Sequence, residues 1–102
     1  MKGIDFHPEA AEEARAAAQW HADIRPDLGD GFRDDLRNLL ERIRRHPFLY
    51  AASYGALREA PFSRFSYSVI YEVEADRIWI AAVSHHRRRP GYWLHRLKNP
   101  PR

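Results

Sequence analysis

"FSYSVIYEVEADRIWIAAVSH", residues 65–85, decides the fold, because apolar side chains recur along it at a period of two. Over residues 65–73 the odd-numbered positions are aromatic or apolar and most even-numbered ones are polar, a pattern that predicts a β-strand. Ala75 and Asp76 are expected to form a two-residue turn. Residues 77–85 then return as a strand whose faces are both largely apolar, so we expect it in the interior of a sheet. The alternation assigns Ile78, Ile80 and Ala82 to one face and Trp79, Ala81 and Val83 to the other.

Two helices are predicted before this hairpin. Pro8 opens the first, which is expected to run to Ile24, and proline is well tolerated at a first helical position. Its stripe of mostly small residues consists of Ala10, Ala14, Ala17, Ala18, His21 and Ile24. The second helix ends at Pro47 and is marked by Leu28, Phe32, Leu36, Leu39, Leu40 and Ile43. The pattern does not define the first residue of this helix, because "RPDLGDG", residues 25–31, contains two glycines and breaks the helical pattern.

The order of the elements predicts an α+β fold. "KGIDFH" reads as an N-terminal strand, and "ALREAPF" holds a short strand that Pro61 ends. The expected order is β-α-α-β-β-β, with an antiparallel helical hairpin packed on one face of a small, mainly antiparallel β-sheet. The length of 102 residues fits a single domain over 1–102, with 94–102 as a tail that is flexible or ordered by a partner.

Composition excludes several classes of function. The chain contains no cysteine, which removes disulfides, thiolate catalysis and cysteine-ligated zinc. No apolar stretch approaches the roughly 20 residues of a membrane span, and we expect a cytoplasmic protein without a membrane partner. Residues 1–84 hold eleven cations and fourteen acids, whereas 85–102 hold six cations and no acid. The net charge of +3 therefore combines −3 in the first segment with +6 in the second.

The stretch "HHRRRPGYW", residues 85–93, concentrates this positive charge directly after the last strand. A phosphate-binding site, a site for an acidic partner and a solvated tail all fit the composition. Strand alternation would send Arg88 to the opposite side from Arg87 and Arg89. His85 and His86 would diverge for the same reason, so we expect no metal site and no cofactor. The three tryptophans are expected to pack in the interior: Trp20, Trp79 and Trp93.

Four segments carry a resemblance to a known family. They are "FHPEAAEEA" at the first helix, "FRDDLRNLLERIRRHP" at the second, "FSYSVIYEVE" in the hairpin and "IWIAAVSHHRRRPGYW" at the last strand. Over residues 4–94 the chain resembles the RelE/ParE superfamily of type II toxin–antitoxin toxins, and in particular its ParE-like, or plasmid-stabilisation, branch. The most specific part is the closing pattern H-x-R-R-x-P-x-Y-W, which is filled by His85, Arg87, Arg88, Pro90, Tyr92 and Trp93.

The resemblance implies a small toxin that is neutralised by an antitoxin encoded beside it, in a hetero-oligomer of the two. In the ParE-like branch the toxin inhibits DNA gyrase by binding and carries no catalytic chemistry. The target-binding residues would then be Arg87, Arg88, Tyr92 and Arg64, whereas Arg89 stands at a position that the pattern leaves free.

The alternative is the ribonuclease branch, which cuts mRNA on the ribosome. Its catalytic residues here would be His85, Arg87, Arg88 and Tyr92. Members of that branch commonly carry an arginine where this chain has Ser68, and Arg64, on the same strand parity, lies about 13 Å away. His86 is a second departure, because the family pattern often has a small residue there. The absence of the arginine favours the gyrase-binding branch, and hence a protein that is not an enzyme.

Overall fold

The computed structural model of this chain describes residues 2–97. Its elements, in chain order, are β1 (Gly3–Phe6), α1 (Pro8–Ile24), α2 (Pro26–Arg45), β2 (Ala52–Tyr54), β3 (Leu57–Pro61), β4 (Tyr67–Val73) and β5 (Arg77–His85). A short 3₁₀ turn, Leu94–Arg96, follows the last strand. Pro8 and Pro26 each open a helix, as their missing N–H groups allow.

The five strands form one sheet in the order β1-β5-β4-β3-β2. β1 runs parallel to β5, and the other neighbouring pairs are antiparallel. Both helices pack on one face of this sheet, so the prediction of an α+β fold with a helical hairpin is confirmed. β2 was not predicted, because its three residues are too few to show an alternating pattern in the sequence.

The two helices are joined by Arg25 alone, so the expected break over residues 25–31 is wrong. Gly29 lies inside α2, against Ala22 of α1. A Cβ atom at Gly29 would come within 2.5 Å of the Cβ of Ala22. Here glycine therefore serves the close approach of two helices, which outweighs its poor helix propensity.

A β-bulge interrupts the regular alternation of β5. Ile80 pairs with Tyr71 on β4, and Ala82 pairs with Ile70, so Ala81 is the extra residue on β5. Because an extra residue reverses the parity of everything beyond it, the predicted face is right for Ala81 but wrong for Ala82 and Val83. The core under the helices includes Ile78, Ile80 and Val83, whereas Ala81 and Ala82 face the other side.

Two hydrophobic clusters cover the two faces of the sheet. The larger one lies under the helices, and the smaller one lies on the opposite face, where Trp93 is buried as predicted. Trp20 does not pack in either cluster and is 61% exposed, which contradicts its predicted core position. It lies off the small-residue stripe of α1. Ile24, the last residue of α1, is exposed as well.

The predicted tail over 94–102 is only partly within the described residues. Leu94 and Leu97 pack against the smaller cluster, and the side chain of Arg96 is 5% exposed. Residues 98–102 lie outside the described range. None of the helices in residues 2–97 combines the length and hydropathy that a membrane span requires.

Candidate functional site

The basic residues after β5 lie in a turn. β5 ends at His85, and the backbone N–H of Arg88 donates to the carbonyl of His85 at 2.9 Å. Strand alternation therefore does not set the directions of Arg87, Arg88 and Arg89, contrary to prediction. All three are exposed, and their guanidinium groups form no ion pair with a carboxylate of residues 2–97. Their charge is available to a partner.

The two adjacent histidines point to opposite faces of the sheet, as predicted. His85 packs edge-on against Tyr67 with 4.9 Å between ring centroids, and its Nδ1 accepts the N–H of Arg87 at 2.9 Å. His86 lies on the other side, with Nε2 2.9 Å from Oγ of Ser68. Within residues 2–97 no group of three or more potential metal ligands is assembled.

The Ser68–His86 contact joins the two departures from the family pattern. Ser68 belongs to β4 and is 1% exposed, so its hydroxyl cannot turn to bulk solvent. A buried hydroxyl needs a partner, and His86 provides it. The position that commonly carries an arginine in the ribonuclease branch thus holds a small, internally bonded side chain.

The guanidinium of Arg88 packs over the ring of Tyr92. The guanidinium carbon of Arg88 lies 3.9 Å from the centre of the Tyr92 ring, within the range of a cation–π interaction. The Tyr92 hydroxyl donates a hydrogen bond to Glu13 of α1. Burial and this hydrogen bond raise the pKa of Tyr92 to about 12. The ring of Tyr92 thereby restricts Arg88, while its hydroxyl is already engaged.

Glu13 and Arg96 form an ion pair that binds the C-terminal turn to α1. Arg96 donates to both carboxylate oxygens of Glu13, at 2.8 and 3.1 Å, and to the carbonyl of Ala81 at 2.9 Å. Glu13 also accepts the N–H of Val83 at 3.0 Å. Burial raises the pKa of Glu13, but the hydrogen bonds from Arg96, Tyr92 and Val83 outweigh it, so that pKa lies below its ordinary value. These side chains satisfy backbone groups of β5 beyond the end of β1.

The pairing of Glu13 with Arg96 was not predicted from the sequence. Arg96 was counted with the basic segment, but its charge is neutralised internally and does not add to the exposed arginines. The available signal was the acidic start of α1, with Glu9 and Glu13 one turn apart. That signal is weak, since acids are favourable at any helix N-terminus.

Two depressions flank Arg88, one on each side. The first, on the open face of the sheet, has a volume of ≈ 390 Å³ and includes Glu59, His86 and Trp93 in its lining. The second, which we call the Arg88 groove, measures ≈ 260 Å³ and lies between α1 and β5. The Arg88 groove is lined by Glu13, Ala16, Ala17, Trp20, Tyr67, Val83, His85 and Arg88.

Arg64 does not belong to β4, so the side-chain direction that strand alternation predicted for it is wrong. It precedes β4, in the bend that connects β3 to β4. Asp35 of α2, which is buried, accepts the backbone N–H of Arg64 at 2.8 Å. The guanidinium lies beside Gly31 of α2 and 5.8 Å from the ring centre of Phe65. Arg64 is therefore on the helix side of the sheet, and it does not replace the missing arginine at Ser68.

A helical hairpin on one face of a five-stranded sheet, with an exposed basic turn after the last strand, is the architecture expected for a RelE/ParE toxin. Residues 4–90 match the family described as "ParE toxin of type II toxin-antitoxin system, parDE". The match spans most of the chain, which therefore belongs to the ParE toxin family and is a toxin of the type II toxin–antitoxin class. The resemblance seen in the sequence is confirmed.

A solved structure has the same fold. It is described as "Chromosomal ParDE TA system from P. aeruginosa", and it superposes with a TM-score of 0.72 at 15% sequence identity. The alignment covers 83% of this chain and 96% of that chain. At this identity the likeness concerns the fold alone. Among curated proteins no significant match to the sequence was found.

Proposed function

We propose that this protein inhibits DNA gyrase by binding, without cleaving RNA, and that an antitoxin encoded beside it neutralises it in the cytoplasm. The observation that carries the choice of mechanism is Ser68. This serine stands where the ribonuclease branch commonly has a cationic arginine. Its side chain is buried, and its hydroxyl is hydrogen-bonded to His86. Cleavage of RNA requires cations for the charge that develops on phosphorus, together with a base and an acid.

The other candidate catalytic groups are also engaged. The Tyr92 hydroxyl, which would protonate the leaving oxygen, donates to Glu13 and has a pKa of about 12. Nδ1 of His85 accepts the N–H of Arg87. These contacts support a surface that binds its target through Arg87 and Arg88 rather than one that performs acid–base chemistry.

The Arg88 groove supports neutralisation by direct masking. Trp20 is exposed in this groove, and Arg88 lies in the same lining. An acidic, amphipathic segment of the antitoxin would cover the Trp20 ring and neutralise the Arg88 guanidinium together. Antitoxin and target would then compete for Arg88.

The test compares purified wild-type protein with the double variant R87A/R88A, and R89A serves as the matched control. Each is incubated with DNA gyrase and relaxed plasmid, and in parallel with translating ribosomes. We expect wild type and R89A to block supercoiling, R87A/R88A to lose that effect while keeping its fold, and mRNA to remain intact. Cleavage of ribosome-bound mRNA with normal supercoiling would instead establish the ribonuclease alternative.

A further inference from the structure

Two exposed apolar side chains protrude from the loop between α2 and β2. Phe48 is 66% exposed and Leu49 is 62% exposed. Neither packs in the two hydrophobic clusters of the sheet. Adjacent apolar side chains held in water are a common mark of a protein-binding surface.

The loop that carries this pair is held in place by polar contacts. The hydroxyl of Tyr71, which is fully buried in β4, donates to the carbonyl of Pro47 at 2.7 Å. Arg58 of β3 donates to the carbonyl of Tyr50 at 2.6 Å, and its guanidinium lies 4.9 Å from the ring centre of Phe48. The apolar pair is thus presented in a preset conformation, which lowers the entropic cost of binding.

Two arginines, Arg42 and Arg58, adjoin the pair. Neither Arg42 nor Arg58 forms an ion pair with a carboxylate in the described part of the chain, whereas Arg45 is paired with Glu41 at 3.0 Å. A shallow cleft of ≈ 360 Å³ adjoins Leu49. Its lining consists of Asn38, Glu41, Arg42, Arg45, His46 and Leu49. A complementary partner would carry carboxylates next to an apolar side chain.

We propose that Phe48, Leu49, Arg42 and Arg58, the Phe48 surface, bind a second acidic and amphipathic segment of the antitoxin; this inference rests on the proposed function above. The Arg88 groove requires the same chemistry of its occupant. Tyr67 in the lining of the Arg88 groove contacts Phe32, in the N-terminal half of α2, whereas the Phe48 surface follows the C-terminal end of that helix. One antitoxin chain that engages both sites gains affinity through the effective concentration of its second segment.

The surface favours a protein over a nucleic acid. Arg58 lies against the Phe48 ring, and the branched side chain of Leu49 offers no planar surface on which a base could stack. These features distinguish the Phe48 surface from the basic turn after β5.

The experiment measures the affinity of the purified toxin for the purified full-length product of the gene that adjoins its own. F48A/L49A is expected to weaken binding by about 10- to 100-fold, as truncation of apolar anchors does. R42E should also weaken binding, and its loss of affinity relative to wild type should grow as the salt concentration is lowered. R33E, the same charge change on the same helix, should have little effect. Thermal unfolding should be nearly unchanged, because both apolar side chains are exposed.

Several results would overturn the proposal. If wild type binds the antitoxin and F48A/L49A binds equally well, this inference fails while the proposed function stands. If wild type does not bind it, both fail. The proposal also fails if the variant instead loses affinity for single-stranded oligonucleotides, inhibition of gyrase, or self-association in sedimentation.

Discussion

Oγ of Ser68 and Nε2 of His86 lie 2.9 Å apart, so that the basic turn is tied to the buried side of β4 by one side-chain hydrogen bond. The hydroxyl is enclosed, whereas His86 is exposed. The two ends of this bond therefore carry different penalties when the partner is removed, since only the serine is left without access to water.

This asymmetry predicts the outcome of a double-mutant cycle. H86A should lower the free energy of unfolding by about 1–2 kcal/mol, because it leaves a buried hydroxyl unpaired. S68A should cost less, and S68A/H86A should be no less stable than H86A alone. Urea unfolding of the four proteins measures the coupling, and strictly additive losses would show that the bond contributes nothing.

Glu13 makes stability dependent on acid pH. Since its pKa is lowered in the folded protein, the stabilisation is present above its ordinary value of 4.5 and is lost as the pH falls through the folded value. E13Q should cost about 2–3 kcal/mol at neutral pH, less than a fully buried broken pair because Glu13 is partly accessible. Unfolding followed from pH 7 to pH 3 should be flatter for E13Q than for wild type. D23N, which removes a carboxylate bonded to Gln19 of the same helix rather than to an arginine, is the matched control and should keep the wild-type slope.

Variants of Tyr92 distinguish two roles for this residue: a ring that positions Arg88, or a catalytic acid. Y92F keeps the ring under Arg88 and should preserve toxicity, whereas Y92A should abolish it with the fold retained. Because the pKa of Tyr92 rises from 10.0 to about 12 on folding, wild type should lose stability as the pH rises across that interval. Y92F should lose less over the same interval. Growth assays and alkaline unfolding measure the two effects, and a non-toxic, well-folded Y92F would favour an acid–base role.

Gly29 sets the distance between the helices. G29A improves helix propensity by about 1 kcal/mol, but its Cβ would lie 2.5 Å from that of Ala22. The steric cost should prevail, and we expect a net destabilisation of about 1–3 kcal/mol. The compensating pair A22G/G29A should recover part of the loss. A stabilised G29A in thermal unfolding would contradict the packing seen here.

Local patterns predicted most elements of the fold but not the faces of β5 beyond Ala81. Pro8 and Ile24 bound α1 as expected, and the period-two segment formed the interior hairpin. The bulge at Ala81 could not be predicted, because a bulge depends on how two strands pair and leaves no mark in the residue types of one strand. The prediction that Trp20 packs in the interior was wrong, because this residue lies off the small-residue stripe of α1 and its side chain faces water.

By itself the sequence determined what depends on neighbours along the chain: two helices, a hairpin, an acidic N-terminal region and a basic segment after the last strand. Only the tertiary structure decided which of these charges are free. Arg96 is neutralised by Glu13, 83 residues away, while Arg87 and Arg88 stay exposed. Ser68 and His86 are two separate departures from the family pattern in the sequence, and in the fold their side chains form a hydrogen bond with each other. Contacts between distant residues follow from packing, which the periodicity of a single segment does not encode.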